Sequence, residues 1–213
     1  MEIFLDTANL NEITEYKDFI DGVTTNPSLI SKEGSKDYYA VAKKVCELVN
    51  GVVSIEVTAN EYAKMLDESL KISAIKENIC VKLPCTADGF RICKILSTRG
   101  VSTNMTLCFS PVQALLAAKC GATYVSPFIG RLDDIAQDGL DLIRDIVDMY
   151  EVQQCETRVL AASIRSVQHV MQVAIIGADA VTIPAKILKQ CFNHPLTDAG
   201  LEIFARDLDK ISQ

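Results

Sequence analysis

The sequence lacks several features that would place it in a particular class of protein. It has no window of about 18 consecutive uncharged apolar residues, so we predict no membrane-spanning helix. Lys and Arg total 21 against 28 Asp and Glu, and the net charge of -7 argues against a nucleic-acid partner. The N-terminus has neither a basic start nor an apolar signal core. We therefore expect a cytoplasmic protein without a membrane or nucleic-acid partner.

Two further absences concern metals and cofactors. None of the eight Cys lies in a C-x-x-C pair, and most interrupt apolar runs, as small buried residues do in a reducing cytosol. Thr7-Ala8-Asn9 follows the first strand-like run in place of a glycine-rich phosphate loop, so the dinucleotide fingerprint is missing. We accordingly expect neither a metal nor a cofactor.

Short apolar strands alternate with amphipathic helical segments along the whole chain. Eight strand-like runs begin near Ile3, Val23, Val53, Ile79, Ser102, Tyr124, Arg158 and Ala180. Strands that alternate with helices predict a parallel sheet, and eight repeats predict that it closes into a (β/α)8 TIM barrel. We expect one such domain over residues 1–213, which is compact beside the usual length of about 250 residues. An open doubly wound sheet is the alternative.

Residues at the ends of the helical segments support this division. Asn9, Ser110 and Ser166 are typical helix N-caps, and Pro111 follows Ser110 at the first helical position. Glycines stand between a helical segment and the next strand, where a left-handed residue often ends a helix. These glycines are Gly22, Gly51, Gly100, Gly121 and Gly177.

The end of the chain is surplus to eight βα units. A last helix over about residues 198–211 carries Leu201, Phe204, Leu208 and Ile211 on one face. Hydrophobic residues make up 49% of the sequence, which is high for a soluble monomer of this size. We expect the helix to cap the barrel mouth or to dock on a neighbouring subunit of a homo-oligomer.

Polar residues interrupt strands that should be dry. Strands of a parallel barrel are buried on both faces, so a charge there is costly unless it is paired or used. Catalytic residues of barrel enzymes come from the C-terminal ends of the strands and the loops after them. The polar exceptions at these positions are Asp6, Asn26, Glu56, Lys82, Asn104, Thr106, Ser126, Arg131, Ser163 and Arg165. The eighth strand is nearly free of such exceptions.

Lys82 is the most informative of these residues. It stands inside Val81-Lys82-Leu83-Pro84, whereas the other lysines fall in helical or loop patterns whose heads can reach water. Burial disfavours the charged form of an amine, and a neutral amine can attack a ketone to form a Schiff base. The residue therefore predicts carbonyl chemistry.

The other polar residues fit that chemistry. Loss of water during Schiff-base formation needs a proton shuttle, for which Glu56 and Thr106 are placed. Cleavage of a carbon–carbon bond beyond the iminium needs a separate base, and Asp6 is the other carboxylate. Arg131 and Arg165 could hold a phosphate at the rim. A sugar phosphate is thus the expected substrate.

These residues also carry a resemblance to a known family. Over essentially the whole chain, the sequence resembles the small transaldolases and their relative fructose-6-phosphate aldolase. The segments that carry the resemblance are Phe4-Leu5-Asp6-Thr7-Ala8-Asn9, Gly22-Val23-Thr24-Thr25-Asn26-Pro27-Ser28, Val81-Lys82-Leu83-Pro84, Thr103-Asn104-Met105-Thr106, Ser126-Pro127-Phe128-Ile129-Gly130-Arg131 and Ala161-Ala162-Ser163-Ile164-Arg165.

The resemblance implies a role for each matched residue. Lys82 would be the Schiff-base lysine, and Asp6 the acid/base at the C4 hydroxyl. Glu56, through a water shared with Thr106, would serve formation and hydrolysis of the Schiff base. The implied substrate contacts are Asn26, Asn104 and Ser126 for the dihydroxyacetone unit and Arg131, Ser163 and Arg165 for the phosphate.

Within the family, three positions favour a transaldolase. The aldolase carries Gln at the position of Glu56 and Tyr at that of Phe128, and Asn104 is also of the transaldolase type. The resemblance therefore implies transfer of a dihydroxyacetone unit between sugar phosphates of the pentose phosphate pathway. Fructose-6-phosphate aldolase activity and a catalytically silent sugar-phosphate-binding protein remain as alternatives. The small members of the family also imply a pentamer or decamer.

Overall fold

In the computed structural model, which describes residues 1–34 and 37–211, eight parallel strands close into a barrel. Each strand pairs with the next in the chain, and the last pairs with the first. The strands are β1 (Glu2–Asp6), β2 (Gly22–Thr24), β3 (Val52–Glu56), β4 (Ile79–Pro84), β5 (Thr103–Cys108), β6 (Tyr124–Pro127), β7 (Arg158–Ala161) and β8 (Ala180–Ile183). The predicted (β/α)8 barrel is confirmed, and every strand begins within one residue of its predicted start.

Helices cover the outside of the barrel, and a short 3₁₀ turn, Lys17–Phe19, follows the first of them. The helices are α1 (Leu10–Tyr16), α2 (Pro27–Lys32), α3 (Tyr38–Leu48), α4 (Tyr62–Ser73), α5 (Ala87–Ser97), α6 (Pro111–Lys119), α7 (Ile129–Asp133), α8 (Gly139–Gln153), α9 (Val167–Ile176), α10 (Ala185–Cys191) and α11 (Pro195–Ile211). Asn9, Ser110 and Ser166 cap α1, α6 and α9 through their side-chain oxygens, as predicted.

The glycine prediction is right for three positions and wrong for two. Gly100, Gly121 and Gly177 have positive φ. Gly22 and Gly51 do not, and close approach of the backbone is the reason for glycine there. A Cβ on Gly51 would lie 1.7 Å from the carbonyl oxygen of Asp21, and one on Gly22 would lie 2.5 Å from that of Val52.

The apolar side chains form two clusters, because successive strand residues face opposite sides of the sheet. Leu5 belongs to the large cluster between the sheet and the helices, whereas Phe4 belongs to a small cluster inside the barrel. The inner cluster consists of Phe4, Cys80, Tyr124, Leu160 and Ala180. Two residues further along β1 and β4, the inward positions become polar, as Asp6 and Lys82. The barrel interior is therefore an apolar plug, formed by the inner cluster, beneath a polar chamber.

Helix α11 begins earlier than expected and does not cover the barrel mouth. None of its residues is buried. Its large apolar residues, Leu196, Leu201, Ile203, Phe204, Leu208 and Ile211, are between 50% and 82% exposed. Of the two predicted positions for this helix, a cap over the barrel mouth is not found, and docking on a neighbouring subunit stays a prediction. Across the described part of the chain, every helix is too short or too polar to cross a bilayer.

Candidate active site

The polar chamber opens at the C-terminal ends of the strands into a cavity of about 410 Å³. Its lining residues are Asp6, Thr24, Asn26, Lys32, Lys82, Ser126, Phe128, Arg131, Ala162, Ser163, Arg165 and Thr182. An adjoining hollow shares Lys82 and Arg131 and adds Glu56. Nine of the eleven predicted site residues thus border one opening, and the other two, Asn104 and Thr106, are buried in the strand beside it.

Lys82 and Glu56 form a buried ion pair. They stand side by side on β4 and β3, with Lys82 Nζ 2.9 Å from Glu56 Oε2. Lys82 is 5% exposed, and Nζ also donates to the carbonyl oxygen of Thr25 at 3.2 Å. A carboxylate partner explains how a charged side chain is tolerated in this strand. The same contact places Glu56 where it can take a proton from the amine, a group that the sequence alone suggested would be neutral.

Asp6 is the second carboxylate of the chamber. It borders the cavity, but protein surrounds its other sides, and this burial raises its pKa above the usual 3.8. Lys82 and a hydrogen bond from Thr24 act in the opposite direction, while Glu56 raises the pKa further. Thr24 Oγ1 donates to Asp6 Oδ1 at 2.7 Å. A carboxyl group with a raised pKa can both accept and return a proton closer to neutral pH.

Asn104 is held by two hydroxyl groups from neighbouring strands. Its amide nitrogen donates to Ser54 Oγ at 3.2 Å, and Ser126 Oγ donates to its amide oxygen at 2.7 Å. All three side chains are buried. The amide is therefore locked in orientation beside Lys82, which is its neighbour in the β4–β5 register.

Thr106 lies two residues beyond Asn104 and faces the same side of β5. Its hydroxyl is buried and finds no hydrogen-bond partner among the described residues. Leaving a buried hydroxyl unpaired costs about 1–3 kcal/mol. This cost marks Thr106 as a group that is available to a reactant rather than to the scaffold.

Two arginines follow β6 and β7: Arg131 lies in the short helix α7, not in a loop, and Arg165 lies in the loop between β7 and α9. The guanidinium of Arg131 lies over the Phe128 ring, 5.1 Å from its centroid. Arg165 makes a two-pronged contact with Asp134, at 3.2 and 2.8 Å. Gly130 lets the start of α7 pack against this loop, because a Cβ there would lie 2.7 Å from the Cγ of Arg165. Ser163, between the two arginines, has a φ of 60°, a strained value for serine.

Several residues of the site were missed by the sequence reasoning. Thr24 and Thr182 border the cavity but read as ordinary strand formers. Lys32 sits at the end of α2, where its helical pattern suggested a side chain in water. Asp134 follows α7 and has no pattern that would connect it to Arg165. Nothing in the sequence distinguishes Lys32 and Asp134. Thr24 and Thr182 could have been found as polar residues of strands, the signal that identified Asp6 at the end of β1.

The described residues contain no cluster of three or more His, Cys, Asp and Glu side chains that could hold a metal ion. Of the predicted substrate contacts, Asn26 also has a structural task, since its side-chain oxygen accepts from the backbone N–H of Leu29 and caps α2.

The chain is similar to known proteins over almost its whole length. Residues 3–213 match the family described as Transaldolase/Fructose-6-phosphate aldolase. A "Probable transaldolase" of Sinorhizobium medicae is 56% identical over 215 residues, and one of Clostridioides difficile is 51% identical over 214 residues. Each alignment covers 100% of this chain and 99% of the relative.

Two solved structures share the barrel fold alone. Thiamine phosphate pyrophosphorylase of Pyrococcus furiosus superposes with a TM-score of 0.61 at 16% identity, over 86% of this chain and 85% of that one. Inosine 5' monophosphate dehydrogenase of Legionella pneumophila has a TM-score of 0.61 at 12% identity, over 88% of this chain and 58% of that one. The family match and the curated relatives decide the assignment: the chain belongs to the transaldolase/fructose-6-phosphate aldolase family.

Proposed function

We propose that this protein is a transaldolase. It transfers a dihydroxyacetone unit from sedoheptulose 7-phosphate or fructose 6-phosphate to glyceraldehyde 3-phosphate or erythrose 4-phosphate, in the pentose phosphate pathway of the cytoplasm. The observation that carries the proposal is the Lys82–Glu56 ion pair. Lys82 lines the same cavity as Asp6 and the two arginines, and Glu56 lines the adjoining hollow.

The first half of the reaction forms the Schiff base. Glu56 takes a proton from the Lys82 ammonium, and the freed amine attacks the C2 carbonyl of the ketose. The resulting carbinolamine loses its hydroxyl as water, with the proton supplied by Glu56 through the water it shares with Thr106. The product is an iminium joined to Lys82. This iminium is the electron sink, so the mechanism needs neither a metal nor a cofactor.

The second half breaks and remakes a carbon–carbon bond. Asp6 takes the proton of the C4 hydroxyl, the C3–C4 bond breaks, and its electron pair moves into the iminium to give an enamine. The aldose phosphate leaves, and an acceptor aldehyde takes its place. Enamine C3 then attacks the aldehyde carbon, Asp6 returns its proton to the new hydroxyl, and water hydrolyses the iminium.

The remaining residues hold the substrate. Asn26 and Ser126 line the cavity next to Lys82, and Asn104 is buried beside Lys82 in the neighbouring strand. These three side chains would contact the hydroxyls of the dihydroxyacetone unit. Arg131, Ser163 and Arg165 would hold the phosphate, since guanidinium groups bind phosphate oxygens through two parallel hydrogen bonds.

Transfer is favoured over release of free dihydroxyacetone by the residue at position 128. A transferase must keep its enamine until an acceptor arrives, and a tyrosine hydroxyl at this position could orient a releasing water. Phe128 has no hydroxyl, and its ring packs against Phe109 and Arg131. Fructose-6-phosphate aldolase activity is the alternative. A silent binding protein is disfavoured, because a buried ion pair is costly to retain without use.

We further propose that the chain assembles as a ring-based homo-oligomer, with a pentamer or decamer favoured. The exposed apolar face of α11 supports this assembly, because docking on a neighbour would cover it in every copy of a closed ring.

One assay separates the three activities. The protein is incubated with fructose 6-phosphate, with and without erythrose 4-phosphate, and the release of triose phosphate is followed. A transaldolase shows sustained release only with the acceptor and forms sedoheptulose 7-phosphate in equal amount. An aldolase releases triose phosphate and dihydroxyacetone without the acceptor. Absence of turnover under both conditions would overturn the proposal in favour of a binding protein.

A further inference from the structure

Two buried threonines form a chain of hydroxyl groups that ends on Asp6. Strand β1 lies between β2 and β8, and the three side chains come from these three strands. Thr24 Oγ1 lies 2.7 Å from Asp6 Oδ1 and 2.6 Å from Thr182 Oγ1. Thr24 is 1% exposed and Thr182 is 5% exposed, so both side chains are largely buried at the wall of the cavity.

Counting protons gives the chain a direction. A hydroxyl group has a single proton to donate, and an ionised carboxylate can only accept. Thr24 therefore donates its hydrogen bond to Asp6 Oδ1, and Thr182 is the donor in the Thr24–Thr182 hydrogen bond. Donation runs from Thr182 to Thr24 to Asp6, and each link polarises the next.

The two carboxylate oxygens of Asp6 differ in their hydrogen bonds. Oδ1 is occupied by Thr24, whereas Oδ2 has no donor among the residues that the structure describes. This leaves Oδ2 for a proton that arrives from the cavity. The plane of the carboxylate is also held, since Asp6 and Thr24 are direct neighbours in the strand register.

We propose that Thr24 and Thr182 are positioning residues of the reaction, which keep Asp6 ionised and direct its Oδ2 at the substrate hydroxyl. The inference rests on the proposed function, in which Asp6 must be a carboxylate before it can take the C4 proton. Burial alone raises the pKa of Asp6, and the hydrogen bond from Thr24 opposes that effect. Loss of the Thr24 hydrogen bond would raise the pKa of Asp6 further, so Asp6 would keep its proton up to a higher pH.

A purely structural role predicts something different. The two threonines could instead serve only to hydrogen-bond each other in the barrel wall. Valine at either position would then alter the stability of the fold but not the pH dependence of catalysis. The other charged groups that act on Asp6 are Lys82, Glu56 and Lys32, and none of them is changed by these substitutions.

The test measures single-turnover cleavage of fructose 6-phosphate against pH. We expect Thr24→Val to move the acid limb of the profile upward by about one pH unit or more, because it removes a hydrogen bond to a charged acceptor. Thr24→Ser should restore most of the wild-type profile. Thr182→Val should move the limb in the same direction by less. Thr103→Val, at a buried strand threonine that contacts Cys93, is the matched control and should leave the profile unchanged.

Coupling between the two threonines decides the outcome. Because Thr182 acts through Thr24, the double valine variant should have the same profile as Thr24→Val alone. A wild-type profile for Thr24→Val, or an independent effect of Thr182→Val in the double variant, would overturn the proposal. If Thr24→Val does not fold, an unchanged profile in Thr182→Val has the same consequence.

A second readout separates this inference from the proposed function. Asp carboxyl carbons are labelled with ¹³C and titrated by NMR, with Asp6→Asn to assign the signal. An upward shift of the Asp6 midpoint in Thr24→Val supports the chain even if the wild-type protein transfers no dihydroxyacetone. If the wild-type protein is active but the Asp6 midpoint is the same in Thr24→Val as in wild type, the proposed function stands and the role of the two threonines is refuted.

Discussion

Replacement of Arg165 by alanine tests the proposed phosphate site, and the exposure of its ion pair with Asp134 sets the size of the expected effect. Arg165 is paired with Asp134, and the two side chains are 54% and 55% exposed. An ion pair in that setting contributes about 0–1 kcal/mol. A charge-assisted contact between arginine and a substrate phosphate should contribute about 1.5–3 kcal/mol. When substrate binds, Arg165 should therefore break its ion pair with Asp134 and bind the phosphate instead.

The difference between these magnitudes predicts two unequal results. Arg165→Ala should lower kcat/KM for fructose 6-phosphate by about ten- to a hundredfold, and Arg131→Ala should do the same. Neither should change the much slower reaction of unphosphorylated fructose to a similar extent. Asp134→Asn should change kcat/KM by no more than about fivefold, since it removes only the exposed pair.

Initial rates on both sugars, with erythrose 4-phosphate as acceptor, measure these effects. Arg144→Ala is the matched control, because Arg144 is paired with Asp141 in a comparable surface contact on α8. Equal losses on fructose and fructose 6-phosphate would remove Arg165 from the phosphate site. A loss in Asp134→Asn as large as that in Arg165→Ala would show that the ion pair holds the loop and that the arginine does not select the phosphate.

The remaining predictions concern the nucleophile, the second carboxylate, metal ions and assembly. Borohydride with fructose 6-phosphate should trap an adduct on Lys82; Lys82→Ala and Lys82→Arg should each lose activity on the order of 10⁴-fold or more, and an adduct on another lysine would refute the assignment. Because the pKa of Asp6 is raised in the fold, the folded state binds its proton more tightly, and stability falls as pH rises from 3.8 through the raised pKa. Asp6→Asn should therefore resist urea better than wild type at pH 7 but not below pH 3.8, and a less stable variant at pH 7 would contradict this sign. A chelator should leave activity intact, and activity that zinc or magnesium restores after chelation would show a metal requirement. A chain that ends near Pro195 should scatter light as a smaller species than the intact chain, whereas an unchanged oligomer would place the interface on the barrel helices.

The fold could be predicted because its physical constraints are visible in single residues. A strand that is buried on both faces should be mostly apolar, so Ile3 to Leu5 and Ile79 to Val81 stand out against the amphipathic helices between the strands. The same rule made Lys82 and Asp6 conspicuous. The residues that were predicted for chemistry are those that violate a packing rule.

The other residues of the site, and the reason for two of the glycines, could not be predicted because their local sequence patterns are ordinary. Threonine is a good strand former, so Thr24 and Thr182 look ordinary until their hydroxyls are seen to meet across two strands. Lys32 has the pattern of a solvated helix end, and only the direction of α2 brings it to the cavity. Gly22 and Gly51 resemble helix terminators, but their cause lies in a neighbouring strand far along the chain, which no local pattern contains.

The apolar plug beneath the chamber has a consequence for how substrates enter and products leave. The inner cluster lies inside the barrel beneath the polar chamber. Among the described residues, the cavity is lined from the C-terminal ends of the strands, so a sugar would enter from that side. In the proposed reaction, the donor, the first product and the acceptor would pass the same two arginines in turn, and the second sugar would enter only after the first had left. In such a cavity, the departing aldose phosphate and the arriving one would compete for the same binding site. A transferase built this way should be inhibited by its first product in competition with its second substrate, whatever the two sugars are.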